Sequence, residues 1–140
     1  MPNPATDPHG AYWLNTVATE LREENLNARE IVYSGTNINT VAASGAAQTI
    51  PDPRVTPNNH ITLTGNCVLT FPTAGTGRGF TLALKQDATG GRTVTWPATV
   101  KWAGGATPTL TVTAARWDVF SFVCLDGTNW FGFVGGLNFS

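Results

Sequence analysis

Residues 119–134 read VFSFVCLDGTNWFGFV, and this stretch decides the fold class. Val119–Leu125 is apolar at nearly every position, the pattern of a central strand buried on both faces. Asp126-Gly127 follows, the favoured pair for a tight type I′ hairpin turn. Asn129–Val134 then resumes an apolar run. The stretch predicts two antiparallel strands joined by a short turn.

The same pattern extends toward the N-terminus. His60–Thr64 alternates Ile61 and Leu63, and Asn66–Phe71 puts Cys67, Leu69 and Phe71 on one face. Phe80–Gln86 places Phe80, Leu82 and Leu84 opposite Thr81, Ala83 and Lys85. Thr93–Trp96, Val100–Trp102 and Thr109–Thr113 are further short runs. Turn signals lie between them, at Gly75–Gly79, Gly90-Gly91 and Gly104-Gly105. About seven short strands with regular turn signals predict a mainly β chain, an antiparallel β-sandwich or small barrel. One N-terminal α-helix precedes this domain, which spans residues 58–140.

Residues 31–57 are rich in Gly, Ser, Asn and Pro and read as a connector, with short strands at Thr36–Ala42 and Ala47–Ile50. Pro51, Pro53 and Pro57 keep it extended, because proline fixes φ and cannot donate to a ladder. Residues 1–30 form an extended tail and a helix. Asp7 serves as N-cap and Pro8 as the first helical residue. Ala11, Leu14, Val17, Ala18, Leu21 and Ala28 then recur at helical spacing. The stripe is too short to define a coiled coil. It must pack on the β-domain, on a copy of itself or on another protein. Tyr12, Trp13, Leu14, Val17 and Leu21 are the candidate docking residues.

Charge is sparse: Lys+Arg number 8 and Asp+Glu 9, and charged residues make up 12% of 140. Soluble domains average about 25%. Either partner subunits cover part of the surface, or a Thr/Asn/Gly-rich surface is polar without charge. The six basic residues along the β-rich part, Arg54, Arg78, Lys85, Arg92, Lys101 and Arg116, are spaced singly, which argues against a nucleic-acid-binding stripe. No apolar run approaches the ~20 residues of a membrane span. No signal peptide precedes the domain, so assembly in a cytoplasm is expected. Cys67 and Cys124 sit in apolar runs where buried free thiols are the expected state, although a disulfide stays open.

The candidate chemistry is thin. Asp87 and Asp126 fall at turns, where Asp commonly bonds the local backbone. Asp118, between Trp117 and Val119, is the one carboxylate expected to be partly buried. His9 and His60 have no metal-ligand spacing to either cysteine. Gly75-Thr-Gly-Arg-Gly79 lacks the Lys-Ser/Thr and the helix of a phosphate loop. No catalytic, cofactor or metal site is expected, and the chain reads as a non-enzyme. Among five tryptophans, Trp96 and Trp130 read as core or interface. Trp102, beside Gly104-Gly105, is the candidate exposed ligand-contact ring.

Four strings carry a resemblance: ITLTGNCVLTFP, GRGFTLALKQDATGGRTVTWPATVKWAGG, TPTLTV and WDVFSFVCLDGTNWFGFVGGLNF. Together they cover somewhat over half the chain. They resemble the β-rich C-terminal domain of bacteriophage virion proteins, found in tail-fibre, minor tail, and head decoration or head-fibre proteins. The resemblance implies a structural component of the virion, self-association as a homotrimer, and either the major capsid protein or tail proteins as partners. It carries over no functional residue. The short chain, in which no shaft repeat is read, favours a capsid decoration or head-fibre protein docked through its N-terminal segment. The alternative is a tail-tip or tail-fibre receptor-binding protein that contacts a host-surface glycan or protein.

Overall fold

The computed structural model describes residues 37–140. The predicted helix and all five candidate docking residues lie outside them. Nine strands occur among the described residues: β1 (Ile38–Val41), β2 (Ala47–Thr49), β3 (Asn58–Leu63), β4 (Cys67–Thr70), β5 (Gly79–Gln86), β6 (Val94–Thr95), β7 (Val100–Trp102), β8 (Trp117–Val123) and β9 (Trp130–Phe139). They form a six-stranded sheet in the order β1-β3-β5-β8-β9-β7 and a three-stranded sheet in the order β2-β4-β6.

From β1 to β6 the chain alternates between the sheets at every step. Each strand therefore pairs with the strand two places on, and the pairs are parallel. Ile38 lies against Asn58 and Asn58 against Thr81 in one sheet, and Ala47 against Val68 in the other. A parallel pair needs a long crossover, and here the crossover is a strand of the opposite sheet. The result is a short solenoid-like winding. Only β5–β8 and β8–β9 are antiparallel, while β7 joins β9 in parallel.

The mainly β expectation holds, two sheets form where a sandwich or a small barrel was expected, and the antiparallel expectation is corrected to mixed sheets. The turn signals at Gly75–Gly79 and Gly90-Gly91 lie at passages between the two sheets, not in hairpins within one. The Asp126-Gly127 link is also wider than a two-residue turn. β8 ends at Val123 and β9 begins at Trp130, and of this pair only Gly127 has positive φ, at 77°. Residues 109–113 form no strand. Residues 37–57 do more than connect, since β1 and β2 are an edge strand of each sheet.

The corners show why the coils stack. Thr49-Ile50-Pro51 lies against Thr70-Phe71-Pro72, with Thr49 and Thr70 in register and the Ile50 amide donating to the Thr70 carbonyl at 2.8 Å. At the opposite corner buried Ser44 donates its amide to Thr62 O, and its Oγ accepts the Thr64 amide. Side chains of β3, β5 and β8 alternate, so Ile61, Leu63, Phe80, Leu82, Leu84, Phe120 and Phe122 are buried together with Leu69 and Trp130. Each such burial contributes about 1.5–3 kcal/mol. Phe71, just past β4, meets Phe122 of the other sheet edge-on at 4.8 Å, and Phe80 stacks on Phe122 within that sheet at 5.0 Å. Pairs of this geometry add about 0.5–1.5 kcal/mol each. Cys67 and Cys124 are free, buried thiols.

Candidate interaction surface

β9 reads WFGFVGGLNF and contains no charged residue and no proline. Its first residue, Trp130, is buried in the core and donates Nε1–H to the Pro72 carbonyl at 3.1 Å. Beyond Gly132 the strand leaves the core. Phe133 is 56% exposed, Val134 47%, Leu137 41% and Phe139 50%. Along one edge β9 pairs with β8, with register shifts around Val119. Such bulges re-aim side chains. Ser121 opposes Phe133, Val119 opposes Gly136, and Trp117 opposes Phe139. These positions alternate with buried Asp118, Phe120 and Phe122, so they form the outer face of the six-stranded sheet.

Asp118 anchors this strand. Its Oδ1 accepts the backbone N–H of Asn138 at 2.9 Å, and its Oδ2 accepts that of Thr111 at 2.7 Å. The carboxylate is buried, as expected, and both oxygens are committed to the backbone. It holds Asn138 at a φ of 60°, a left-handed conformation that Asn tolerates better than most residues. Phe139 then folds its ring into the space that a Cβ on Gly136 would take.

The outer face also carries a small aromatic–basic cluster. The His60 ring lies 4.4 Å from that of Trp117, and Lys85 Nζ sits 5.0 Å from the Trp117 ring centroid. His60 Nε2 is buried with no hydrogen-bond partner. Burial, and secondarily the charge of Lys85, lowers the His60 pKa below its ordinary 6.5. The imidazole is therefore neutral at pH 7.

At one end of the sandwich, Phe71, Pro72 and Thr73 face Thr99, Thr128 and Trp130 around an open recess of about 390 Å³. Its rim hydroxyls, from Thr73, Thr99 and Thr128, belong to exposed residues. The adjacent 124–129 loop is held by Asp126, whose Oδ1 accepts the amides of Thr128 and Asn129. The Asn129 side chain, then its amide and that of Thr128, hold the Asp126 carboxyl down to about 2.

Trp102 is not the exposed ring that its Gly-rich neighbourhood predicted. Its indole is partly buried and faces Trp96 at 5.1 Å and Phe122 at 5.6 Å. No cluster of three or more His, Cys, Asp or Glu that could hold a metal occurs among the described residues. The exposed half of β9 was not singled out from the sequence. Its signal is the uncharged run FVGGLNF at residues 133–139, of which the sequence reading takes only Phe133 and Val134 as strand.

Residues 48–130 match the family model described as "Putative phage tail fibre C-terminal domain". The chain belongs to this phage tail fibre domain family. No curated protein and no solved structure gives a significant match. The matched span runs from β2 through the winding and β8 to the first residue of β9. Membership in the tail fibre domain family makes the protein a structural component of a phage virion. The exposed part of β9, residues 133–139, lies outside the matched span.

Proposed function

We propose that the chain is a non-enzymatic module of a phage tail fibre or tail tip that self-associates, as a homotrimer, and contacts the host surface. The family match over residues 48–130 carries this reading, because the family is described by the tail fibre rather than the head. The architecture supports it. A continuous core with interlocked aromatic rings gives a rigid scaffold, and binding surfaces are commonly carried by loops on such scaffolds. The recess rimmed by Thr73, Thr99 and Thr128 offers hydroxyl groups beside apolar walls to a host glycan or protein. The committed oxygens of Asp118 support a structural role for this buried carboxylate. Attachment to the rest of the particle is assigned to residues 1–30, with Tyr12, Trp13, Leu14, Val17 and Leu21 as contacts.

The capsid decoration reading, drawn from chain length, has no comparable support from the family. Immunogold labelling of intact particles separates the two. Label at the tail fibres or tail tip is expected, and label spread over the head would replace this reading with decoration.

A further inference from the structure

The recess at one end of the sandwich carries three threonines on its rim, and each is fixed through its backbone. The Thr73 carbonyl accepts Arg78 Nη1–H at 3.1 Å, the Thr99 carbonyl accepts the Trp130 amide at 3.0 Å, and the Thr128 amide donates to Asp126 Oδ1 at 2.8 Å. The three hydroxyls make no hydrogen bond among the described residues. Between them lie the half-buried Phe71, Pro72 and Ala74. Below is the Trp130 indole, whose N–H is spent on the Pro72 carbonyl at 3.1 Å. No charged side chain lines the recess. Asp126, which holds one rim, spends both oxygens on Thr128 and Asn129. The Arg78 guanidinium, which holds another, lies against Gly75.

We propose that this recess binds one uncharged sugar ring of a host-surface glycan. The inference rests on the host contact in the reading above and names its ligand. Three features select a neutral sugar. A hydroxyl both donates and accepts, so three unpaired hydroxyls match the hydroxyls of a sugar, which do the same. An ionic ligand would meet no opposite charge on the walls, with nothing to offset its lost hydration. Size argues against a protein, because a protein contact takes about 20–30 residues a side, whereas eight residues line this recess. Its volume of about 390 Å³ lies at the small end of the ~300–1,000 Å³ range of small-ligand sites. Threonine side chains are stiff at χ1, and the backbone bonds fix where each one starts. The rim is therefore ordered before a ligand arrives, which lowers the cost of binding.

The test is heteronuclear NMR of the full-length protein with the methyl glycosides of glucose, galactose, mannose, rhamnose and N-acetylglucosamine. Methyl glycosides fix the ring as it stands in a glycan chain, and each is titrated to tens of millimolar. Methyl glucuronide, which adds a carboxylate, and glycerol, a flexible polyol, are the controls. Expected is saturable movement of the Trp130 indole N–H and the Thr73, Thr99 and Thr128 amides with at least one neutral glycoside, and none with the controls. Thr99→Val and Thr128→Val remove a hydroxyl and keep the backbone bonds. Each should weaken binding about fivefold or more, with the rest of the spectrum reporting an intact fold. Should a variant fail to fold, the wild-type titration against the controls decides. No movement with any neutral glycoside would overturn the proposal. So would equal movement with glycerol or the glucuronide, or undiminished binding by both folded variants. Each of these outcomes leaves the tail assignment standing, and label over the head would leave the sugar titration standing.

Discussion

Trp102 occupies the space beside Gly132 that a side chain would fill. The two residues are partners across the β7–β9 pair, and the indole lies 2.6 Å from where a Cβ on Gly132 would stand. A glycine in a strand interior weakens it, and here the ring of the neighbouring strand covers the gap, a device that pins register. Gly132→Ala must push the indole off Trp96, Phe120 and Phe122. Overpacking of this kind costs about 1–3 kcal/mol. Urea denaturation is expected to show a lower midpoint, and the near-UV circular dichroism of the tryptophans should weaken.

Asp118 ties the irregular end of β9 and the strandless 109–113 segment to β8. Its own strand is β8, and its two oxygens hold the Thr111 and Asn138 amides. Asp118→Asn keeps the shape but offers a single acceptor oxygen, so one amide faces an NH2 group. Losing a charge-assisted bond and leaving a donor unsatisfied costs about 1.5–3 kcal/mol. Hydrogen exchange should accelerate at Thr111 and at Asn138 while the β3–β5 amides stay protected. Equal acceleration throughout would mean that Asp118 stabilises the whole fold and not this strand end.

Strand positions were largely legible because burial on one face leaves a period-two trace, plain in Phe80, Leu82 and Leu84. Their partners were not. The period-two pattern says which face is buried but not which strand lies beside it. Glycine-rich corners between two sheets carry the same residues as hairpin turns within one. A better signal was present in Thr49-Ile50-Pro51, Thr70-Phe71-Pro72 and Thr95-Trp96-Pro97. The recurrence of Thr-apolar-Pro marks the ends of β2, β4 and β6 in turn. The candidate surface was harder to read. Phe131 and Phe133 look alike in sequence, and only the short reach of β7 leaves the second one open.

Acid should weaken the fold in two steps. The His60 pKa is lowered by burial, so the unfolded chain takes up that proton first. Stability from neutral His60 is complete above its unfolded pKa of about 6.5. It is lost as pH falls through the lower folded value. The carboxylates act further down. Asp126 is held at about 2 chiefly by the Asn129 side chain, and Asp52 at about 2 chiefly by the Arg54 side chain, against an ordinary 3.8. Their contribution is full above 3.8 and disappears as pH falls toward 2. Denaturation midpoints measured across pH 2–8 should show both declines. His60→Gln should remove the upper one alone, and Asn129→Ala should shrink the lower one.

Gly90 and Gly91 allow the constraint on the corner between β5 and β6 to be split into its causes. Both have positive φ, 74° and 75°, so alanine at either position bears the same backbone strain of roughly 1–2 kcal/mol. Their surroundings differ. A Cβ on Gly90 would stand 2.5 Å from the Val112 carbonyl oxygen and 2.8 Å from the Ala114 nitrogen, while one on Gly91 meets nothing within 4 Å. The corner has little room to retreat. Asp87 Oδ1 accepts the Gly90 amide and Oδ2 takes the Arg92 guanidinium, while the buried Gln86 side chain bonds the Arg92 and Thr111 backbone. Gly90→Ala should therefore lower the urea midpoint well beyond Gly91→Ala, by a further ~1–3 kcal/mol. Matching losses in the two variants would show that residues 112–114 yield freely, and that Gln86 and Asp87 do not fix this corner.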